Sequence, residues 1–294
     1  MSKRTILFES PSRLHLKDLQ LIAENQATGE MKRAPVEDIG VVLVENQQVT
    51  VTVPLLNALA KNNCAVVFCD DRHMPVSMLL TLDSNMVQAE THKLQVDVTS
   101  ELKGSLWKQT VEMKIRNQAA LLDKLGLDGE PVRSCGTKVK PGDSSNREGV
   151  AAGIYWDALF GMDFIRSRFG GDANPLLNYG YTVLRAAMAR AIMCSGLSPA
   201  FGLYHKNRYN AFPLADDLME PYRPFVDDIV LGLTREGTKA LDKEAKRSLL
   251  GVLVKDVRLD DIVRPLAVGM TLTTASLCRC LRGEDDRLKY PEFR

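Results

Sequence analysis

Residues 39–60 read Ile-Gly-Val-Val-Leu-Val-Glu-Asn-Gln-Gln-Val-Thr-Val-Thr-Val-Pro-Leu-Leu-Asn-Ala-Leu-Ala, and two structural periods meet inside them. The runs 39–44 and 49–53 are rich in β-branched residues and read as strands, with Asn46-Gln47-Gln48 as a hairpin turn between them. Pro54 then opens Leu-Leu-Asn-Ala-Leu-Ala; proline suits the first turn of a helix, so one short helical crossover is expected here. Working outward, similar short runs recur at 5–8, 14–16, 20–23, 64–69 and 76–80, each bounded by polar or turn-forming residues. Seven short strands and one helix predict a β-sandwich-like domain over residues 1–84.

From about residue 86 the period changes. Residues 102–125 place Leu106, Val111, Ile115, Leu122 and Leu125 near one face of a helix, with Lys, Arg, Glu and Gln elsewhere. Further helices are predicted at 144–160, 175–195 (ended by Gly196), 214–233, 239–255 and 262–282, each bounded by Gly, Pro or Asn. The stretch 126–143, with Gly126, Gly129, Pro131 and Gly142, reads as a loop long enough to be mobile or functional. The expected class is α+β: the β-rich domain, then a larger all-α domain over residues 85–294. There is no internal repeat and no low-complexity tract.

Composition narrows the function. The 294 residues carry 38 Lys plus Arg against 37 Asp plus Glu, so the formal net charge of +1 draws in neither a polyanion nor an acidic membrane. Any nucleic-acid contact has to come from a local patch. No apolar run approaches the ~20 residues needed to cross a bilayer, and Glu9 interrupts the opening apolar stretch before it could form a signal-peptide core. A cytoplasmic protein with no membrane contact is expected. The cysteines at 64, 69, 135, 194, 278 and 280 include no Cys-x-x-Cys pair, and Cys278 and Cys280 would diverge by about 200° around a helix, so thiolate metal ligation has no support. Gly232 and Gly237 have the spacing of a phosphate loop, but Thr238-Lys239-Ala240 follows where Lys then Ser or Thr is needed. The nucleotide-binding pattern Gly-x-Gly-x-x-Gly and the hydrolase pattern Gly-x-Ser-x-Gly are both absent.

Of four histidines, His15, His73 and His92 fit ordinary polar roles. His205 differs, because Phe201-Gly-Leu-Tyr-His-Lys-Asn-Arg-Tyr-Asn-Ala-Phe-Pro213 is an irregular loop leading into a helix that opens with Asp216, Asp217 and Glu220. Asp217 and Glu220 are three residues apart and Asp216 and Glu220 four, so either pair shares a helical face. An imidazole beside a carboxylate suits a hard or borderline divalent ion, Mn²⁺ or Mg²⁺. The same acids equally serve to complement a helix dipole. A third ligand is offered by Glu148, near the start of an Ala/Gly-rich helix whose small residues permit close packing, with Arg147 beside it.

Four blocks together resemble one family. They are Asn146-Arg-Glu-Gly-x-Ala-Ala-x-x-Tyr155, Asn178-Tyr-Gly-Tyr181 with a following Leu-Arg-Ala helix, Gly196-Leu-x-Pro-x-x-Gly-Leu-Tyr-His205, and Asp217-Leu-Met-Glu-Pro-Tyr-Arg-Pro224. The chain resembles the CRISPR-associated endonuclease/integrase of spacer acquisition, and its type II branch in particular; the N-terminal blocks Arg4–Glu9 and 53–70 extend the likeness over nearly the whole chain. The resemblance implies a metal-dependent enzyme that joins protospacer 3′-hydroxyl ends to CRISPR repeat DNA. It places the metal triad on Glu148, His205 and Glu220, with Asp217 as an auxiliary acid. Arg147, Lys206, Arg208 and Arg223 surround that triad in sequence and are candidates for phosphate contact, with Asn146 and Asn207 as neutral donors. Arg223 could equally pair with Glu220 or Asp227, and Tyr209 and Phe212 could pack over the loop or stack on a base. The implied partners are double-stranded protospacer and leader-repeat DNA, a second copy through the β domains, and the second CRISPR-associated adaptation protein in a heterohexamer. A type II effector nuclease and an accessory ring protein are implied in protospacer choice. Two other classes fit the residues alone: a catalytically silent DNA-binding scaffold and a protein-interaction module.

Overall fold

The computed structural model describes residues 3–71, 73–81, 85–238 and 240–294. The chain separates into two compact units, Met1–Gln88 and Ala89–Arg294. The expected boundary at residue 84 and the first residue of the helix expected at 239–255 lie outside the described residues. Among the described residues no helix is long and apolar enough to cross a membrane.

The first unit contains strands β1 (Arg4–Phe8), β2 (Ser12–Lys17), β3 (Gln20–Asn25), β4 (Met31–Pro35), β5 (Ile39–Val44), β6 (Thr50–Val51), β7 (Ala65–Cys69) and β8 (Pro75–Leu79), and helix α1 (Val53–Lys61). They form two four-stranded sheets, in the orders β1-β5-β7-β8 and β4-β3-β2-β6. The central strand β5 is buried at every position, which is why it reads as an unbroken apolar run rather than an alternating one. Because β5 and β7 run parallel, the chain between them must cross back, and β6 and α1 lie in that crossover. Phe8 and Val42 of one sheet, Leu14 and Leu21 of the other, and Leu55 and Leu59 of α1 share one core.

Two expectations change here. Asn46 does make a turn, its side chain accepting from the Gln48 N–H at 2.9 Å, but β5 and β6 belong to different sheets, so the turn hands the chain across instead of closing a hairpin. An eighth strand, β4, also appears; its Met-Lys-Arg opening is exposed on a sheet edge and so lacks the apolar alternation that marks strands in a sequence.

The second unit comprises α2 (Gln88–Asp97), α3 (Ser100–Lys124), α4 (Glu130–Gly136), α5 (Arg147–Phe160), α6 (Asn174–Cys194), α7 (Pro213–Met219), α8 (Arg223–Arg235), α9 (Lys243–Leu250), β9 (Asp256–Leu259), β10 (Ile262–Pro265) and α10 (Leu266–Leu281). Its spine is α3. Thr99 caps it by accepting from the Leu102 N–H, and Leu106, Val111, Ile115, Ala119 and Leu122 are fully buried along it. The C-terminal residues are strapped to the same helix. Asn117 donates to the Pro291 carbonyl at 2.9 Å and accepts from the Phe293 N–H at 3.0 Å, while Tyr290 and Thr110 share a hydrogen bond at 2.9 Å.

This unit is not all-α. The antiparallel pair β9 and β10 lies where helices were expected to end and begin, with Asp260 at φ 50 in the turn between them. Asp256-Val-Arg-Leu alternates in period two and leads into an Asp-Asp turn, but Ile-Val-Arg-Pro265 does not alternate and is largely exposed, so its apolar residues read as the start of α10. The helix expected at 214–233 is divided by Pro221 and Pro224 into α7, a 3₁₀ turn over Glu220–Tyr222, and α8. The helix expected at 239–255 shortens to α9 followed by a 3₁₀ turn over Gly251–Val254. The loop expected at 126–143 contains α4 and a 3₁₀ turn over Pro141–Asp143.

Glycine works differently in two helices. A methyl added at Gly180 of α6 would stand 2.4 Å from Val226 Cγ1 and 3.2 Å from Leu249 Cδ2, so α8 and α9 pack against bare backbone there. At Gly153 of α5 nothing lies within 4 Å, which corrects the expectation that its small residues serve close packing at that position. Gly180→Ala is therefore expected to cost about 1–3 kcal/mol by overpacking, whereas Gly153→Ala gains up to roughly 1 kcal/mol of helix propensity. Denaturant unfolding of the two variants checks the opposite signs.

Candidate active site

The start of α5 is fixed twice over. Asp143 is buried with left-handed backbone (φ 46), and its carboxylate accepts from the N–H groups of Arg147 at 2.8 Å and Glu148 at 3.0 Å. Asn146, also left-handed, caps the helix by accepting from the Gly149 N–H at 3.3 Å. These acceptors use the free donors of the first turn and so fix where Glu148 leaves the backbone.

Opposite stands Lys114 of α3. Its Nζ lies 2.6 Å from Glu148 Oε1 and 2.6 Å from Glu220 Oε2. The two carboxylates, 72 residues apart in sequence, thus point at one cationic atom. Glu220 Oε1 is taken by Arg223 at 2.9 Å, and Arg223 in turn lies over the Tyr181 ring at 4.4 Å from its centre. Burial alone would raise the Glu220 pKa, but the Arg223 and Lys114 charges outweigh it and bring it down to about 2. For Lys114 burial acts downward, and Glu220 and Glu148 reverse it, so its pKa rises. One ammonium thus bridges Glu148 Oε1 and Glu220 Oε2, and Arg223 takes the remaining oxygen of Glu220.

His205 is set by Asp217. This fully buried carboxylate accepts from the N–H groups of Leu203 (2.6 Å), Tyr204 (3.0 Å) and His205 (3.2 Å), and stands 2.5 Å from His205 Nδ1. Holding the Nδ1 proton leaves the lone pair of neutral His205 on Nε2, the arrangement of a ligating histidine backed by a carboxylate. The hydrogen bond that His205 donates to Asp217 raises the His205 pKa against the opposing effect of burial. Gly202 is required by this wrapping, since a Cβ there would stand 2.7 Å from the His205 carbonyl oxygen and 3.0 Å from Asp217 Oδ2. Gln95 pins the start of the loop through both polar groups of Ser198. Trp107 stacks on Tyr204 with ring centres 4.5 Å apart and meets His205 edge-on; it lies seven residues before Lys114, two turns along the same face of α3.

The predicted residues therefore fall into groups. Glu148 and Glu220 meet at Lys114, and His205 stands on the loop that Asp217 organises. Among the described residues no three His, Cys, Asp or Glu side chains gather closely enough to hold a metal ion, and the position between the two glutamates is filled by an ammonium. The donor set nevertheless fits a hard divalent ion: two carboxylates aimed at one cation, and an imidazole whose Nδ1 is held by a carboxylate. Lys206, Asn207 and Arg208 are exposed and, with His205, Gln95 and Lys103, line a cleft of about 500 Å³. Arg147 is partly buried with its Nε unpartnered. Arg223 takes the internal alternative and is committed to Glu220. Asp216 is held by Arg185 at 2.7 Å and by the side chain of Asn210, which makes it a brace for the loop.

The sequence reading missed Lys114, Asp143 and Trp107. A signal existed for Lys114: it is a lone cation inside the apolar stripe of Val111 and Ile115, where an unpaired charge would be costly.

The same arrangement can be placed among known proteins. A family model for CRISPR associated protein Cas1 matches residues 5–264. This chain belongs to the Cas1 family. It is 39% identical over 239 residues to the CRISPR-associated endonuclease Cas1 of Neisseria meningitidis serogroup C (strain 8013), covering 81% of this chain and 78% of that one. Its fold is similar to a casposase bound to integration product (TM-score 0.81, 22% identity, 98% and 92% of the two chains). It is also similar in fold to part of a Cas6-RT-Cas1 and Cas2 complex (TM-score 0.74, 17% identity, 97% of this chain and 35% of that one). The motifs that suggested the family thus lie in a chain that has its fold, although under 25% identity those two structures speak to the fold alone.

The raised pKa of His205 has a sign that can be checked. The Asp217 contact stabilises the fold fully below the ordinary imidazole pKa, and that contribution is lost as pH rises through the raised value. NMR titration should place His205 above the ordinary range in the wild type and lower in Asp217→Asn; an unchanged midpoint would remove the assigned cause.

Proposed function

We propose that this Cas1-family chain is a divalent-metal-dependent DNA endonuclease and integrase that joins protospacer 3′-hydroxyl ends to CRISPR repeat DNA. The observation that carries the reading is the meeting of Glu148 and Glu220, from separate elements, at a single cation position, with His205 presented on the adjoining loop. Glu148, His205 and Glu220 would hold Mn²⁺ or Mg²⁺, which when bound supplies a Lewis acid to neutralise charge developing at the phosphorus and the leaving oxygen.

Each residue then has a task. Asp143 and Asn146 fix Glu148 at the head of α5, Arg223 fixes Glu220, and Asp217 holds the Nδ1 proton of His205, which leaves Nε2 as the base or ligand. Asp217 is on this reading a positioning residue rather than a further ligand. Lys206 and Arg208, with Lys103 beside them, supply a local basic patch in a chain with almost no net charge, and Asn207 adds a neutral donor. Arg147 adds a further phosphate contact at the head of α5. Exchange of one phosphate ester for another changes bond energy little, so no nucleotide fuel is required and the missing phosphate loop is consistent. With water in place of the hydroxyl the same geometry cleaves.

The casposase bound to integration product and the complex containing Cas2 support double-stranded DNA and the second adaptation protein as partners for this chain. We assign residues 1–84 to pairing with a second copy and residues 85–294 to catalysis, in a cytoplasmic heterohexamer of two such pairs around a pair of the second adaptation protein. As a member resembling the type II branch, the chain is also assigned the effector nuclease and the accessory ring protein as partners in protospacer choice.

Strand transfer into supercoiled repeat DNA tests this. Glu148→Ala and His205→Ala are expected to lose Mn²⁺-dependent joining by about 10²-fold or more while retaining DNA binding, and joining retained by both would overturn the site. Lys206→Ala with Arg208→Ala should weaken binding and flatten its salt dependence by roughly 0.9 in log–log slope per lost phosphate contact. An unchanged slope would place the DNA elsewhere.

A further inference from the structure

Lys114 has no place in the chemistry assigned above, yet it occupies the centre of the site. Its side chain is 11% exposed, and the Glu148 and Glu220 side chains it touches are 22% and 6% exposed. Two carboxylates facing one another in so little water repel and are poorly solvated, so the metal-free fold needs a cation between them. Glu148, Lys114, Glu220 and Arg223 form an alternating row of charges that sums to zero without any ion from solution.

We propose that Lys114 is a built-in occupant of the divalent-cation seat, which an incoming Mn²⁺ or Mg²⁺ must displace. The inference rests on the reading that Glu148 and Glu220 are metal ligands. Size makes the two occupants exclusive. The ammonium holds its carboxylate oxygens at 2.6 Å, whereas Mg²⁺ requires oxygens at about 2.0–2.1 Å. The ion therefore cannot take the seat until the ammonium has left it and both carboxylates have drawn in. Charge argues the same way, because an ammonium left at its present distance would face a divalent ion of like sign. Glu148 Oε1 and Glu220 Oε2, the two oxygens the ammonium holds, are the ones an ion would take in its place. Lys114 thus keeps the two carboxylates folded and neutralised without a metal, and does so at the expense of metal affinity.

The test is Mn²⁺ binding to the full chain, followed by electron paramagnetic resonance of the free ion, with melting temperature measured alongside. Lys114→Gln keeps neutral donors for the two carboxylates and so guards against collapse of the more severe Lys114→Met. Both are expected to bind Mn²⁺ at least about tenfold more tightly than wild type, to melt lower without metal, and to gain more from added Mn²⁺. A folded Lys114→Gln that binds Mn²⁺ no more tightly than wild type overturns the proposal. In that event, loss of wild-type binding in Glu148→Gln would leave the metal-site reading standing. Binding that ignores Glu148→Gln and His205→Ala alike would overturn both.

Discussion

The structure depends on one constraint: a buried glutamate and a half-buried one cannot share a small volume without a positive charge between them. Lys114 meets it, and in doing so ties α3 to the head of α5 and to the turn after α7. Those three elements have little else in common in the sequence. A pair made by burying only one carboxylate would be worth little, since desolvation offsets much of the attraction. A row of four alternating charges, closed at its far end by Arg223 over the Tyr181 ring, leaves each charge compensated on the side that faces protein.

A further buried carboxylate, Asp227, is handled by different chemistry. Asp227 receives hydrogen bonds from Tyr155 at 2.8 Å and Tyr181 at 2.5 Å, and burial lifts its pKa to about 6. Tyr155 stands on α5, Tyr181 on α6 and Asp227 on α8, so this network holds together the three helices that back the site. The tyrosines of the Asn-Tyr-Gly-Tyr and Glu-Gly-x-Ala-Ala-x-x-Tyr blocks thereby have a mechanical task that their motifs do not reveal.

What was legible in the sequence follows from period and from local chemistry. The β5 run, the α1 crossover and the long amphipathic α3 each carry their pattern within a few residues, and each is found. The strand β4 was hidden because an exposed edge needs no apolar alternation, and the hairpin of β9 and β10 because its aliphatic residues also fit the start of α10. At the site, Glu148, His205 and Glu220 stood out by residue type and by family likeness. Asp217 was legible as an acid but not as the clamp on His205, because its partners are backbone N–H groups, which no sequence displays. Arg223 was ambiguous and Lys114 missed for the same reason: a cation in a sequence does not name its anion, and both face inward.

One amide holds three parts of this region together. Asn117 of α3 donates to the carbonyl of Pro221, the residue next to Glu220, and through the same side chain to the Pro291 carbonyl. The turn that carries Glu220 and the segment around Pro291 thereby share a single anchor, so slack introduced at one is transmitted to the other through that side chain.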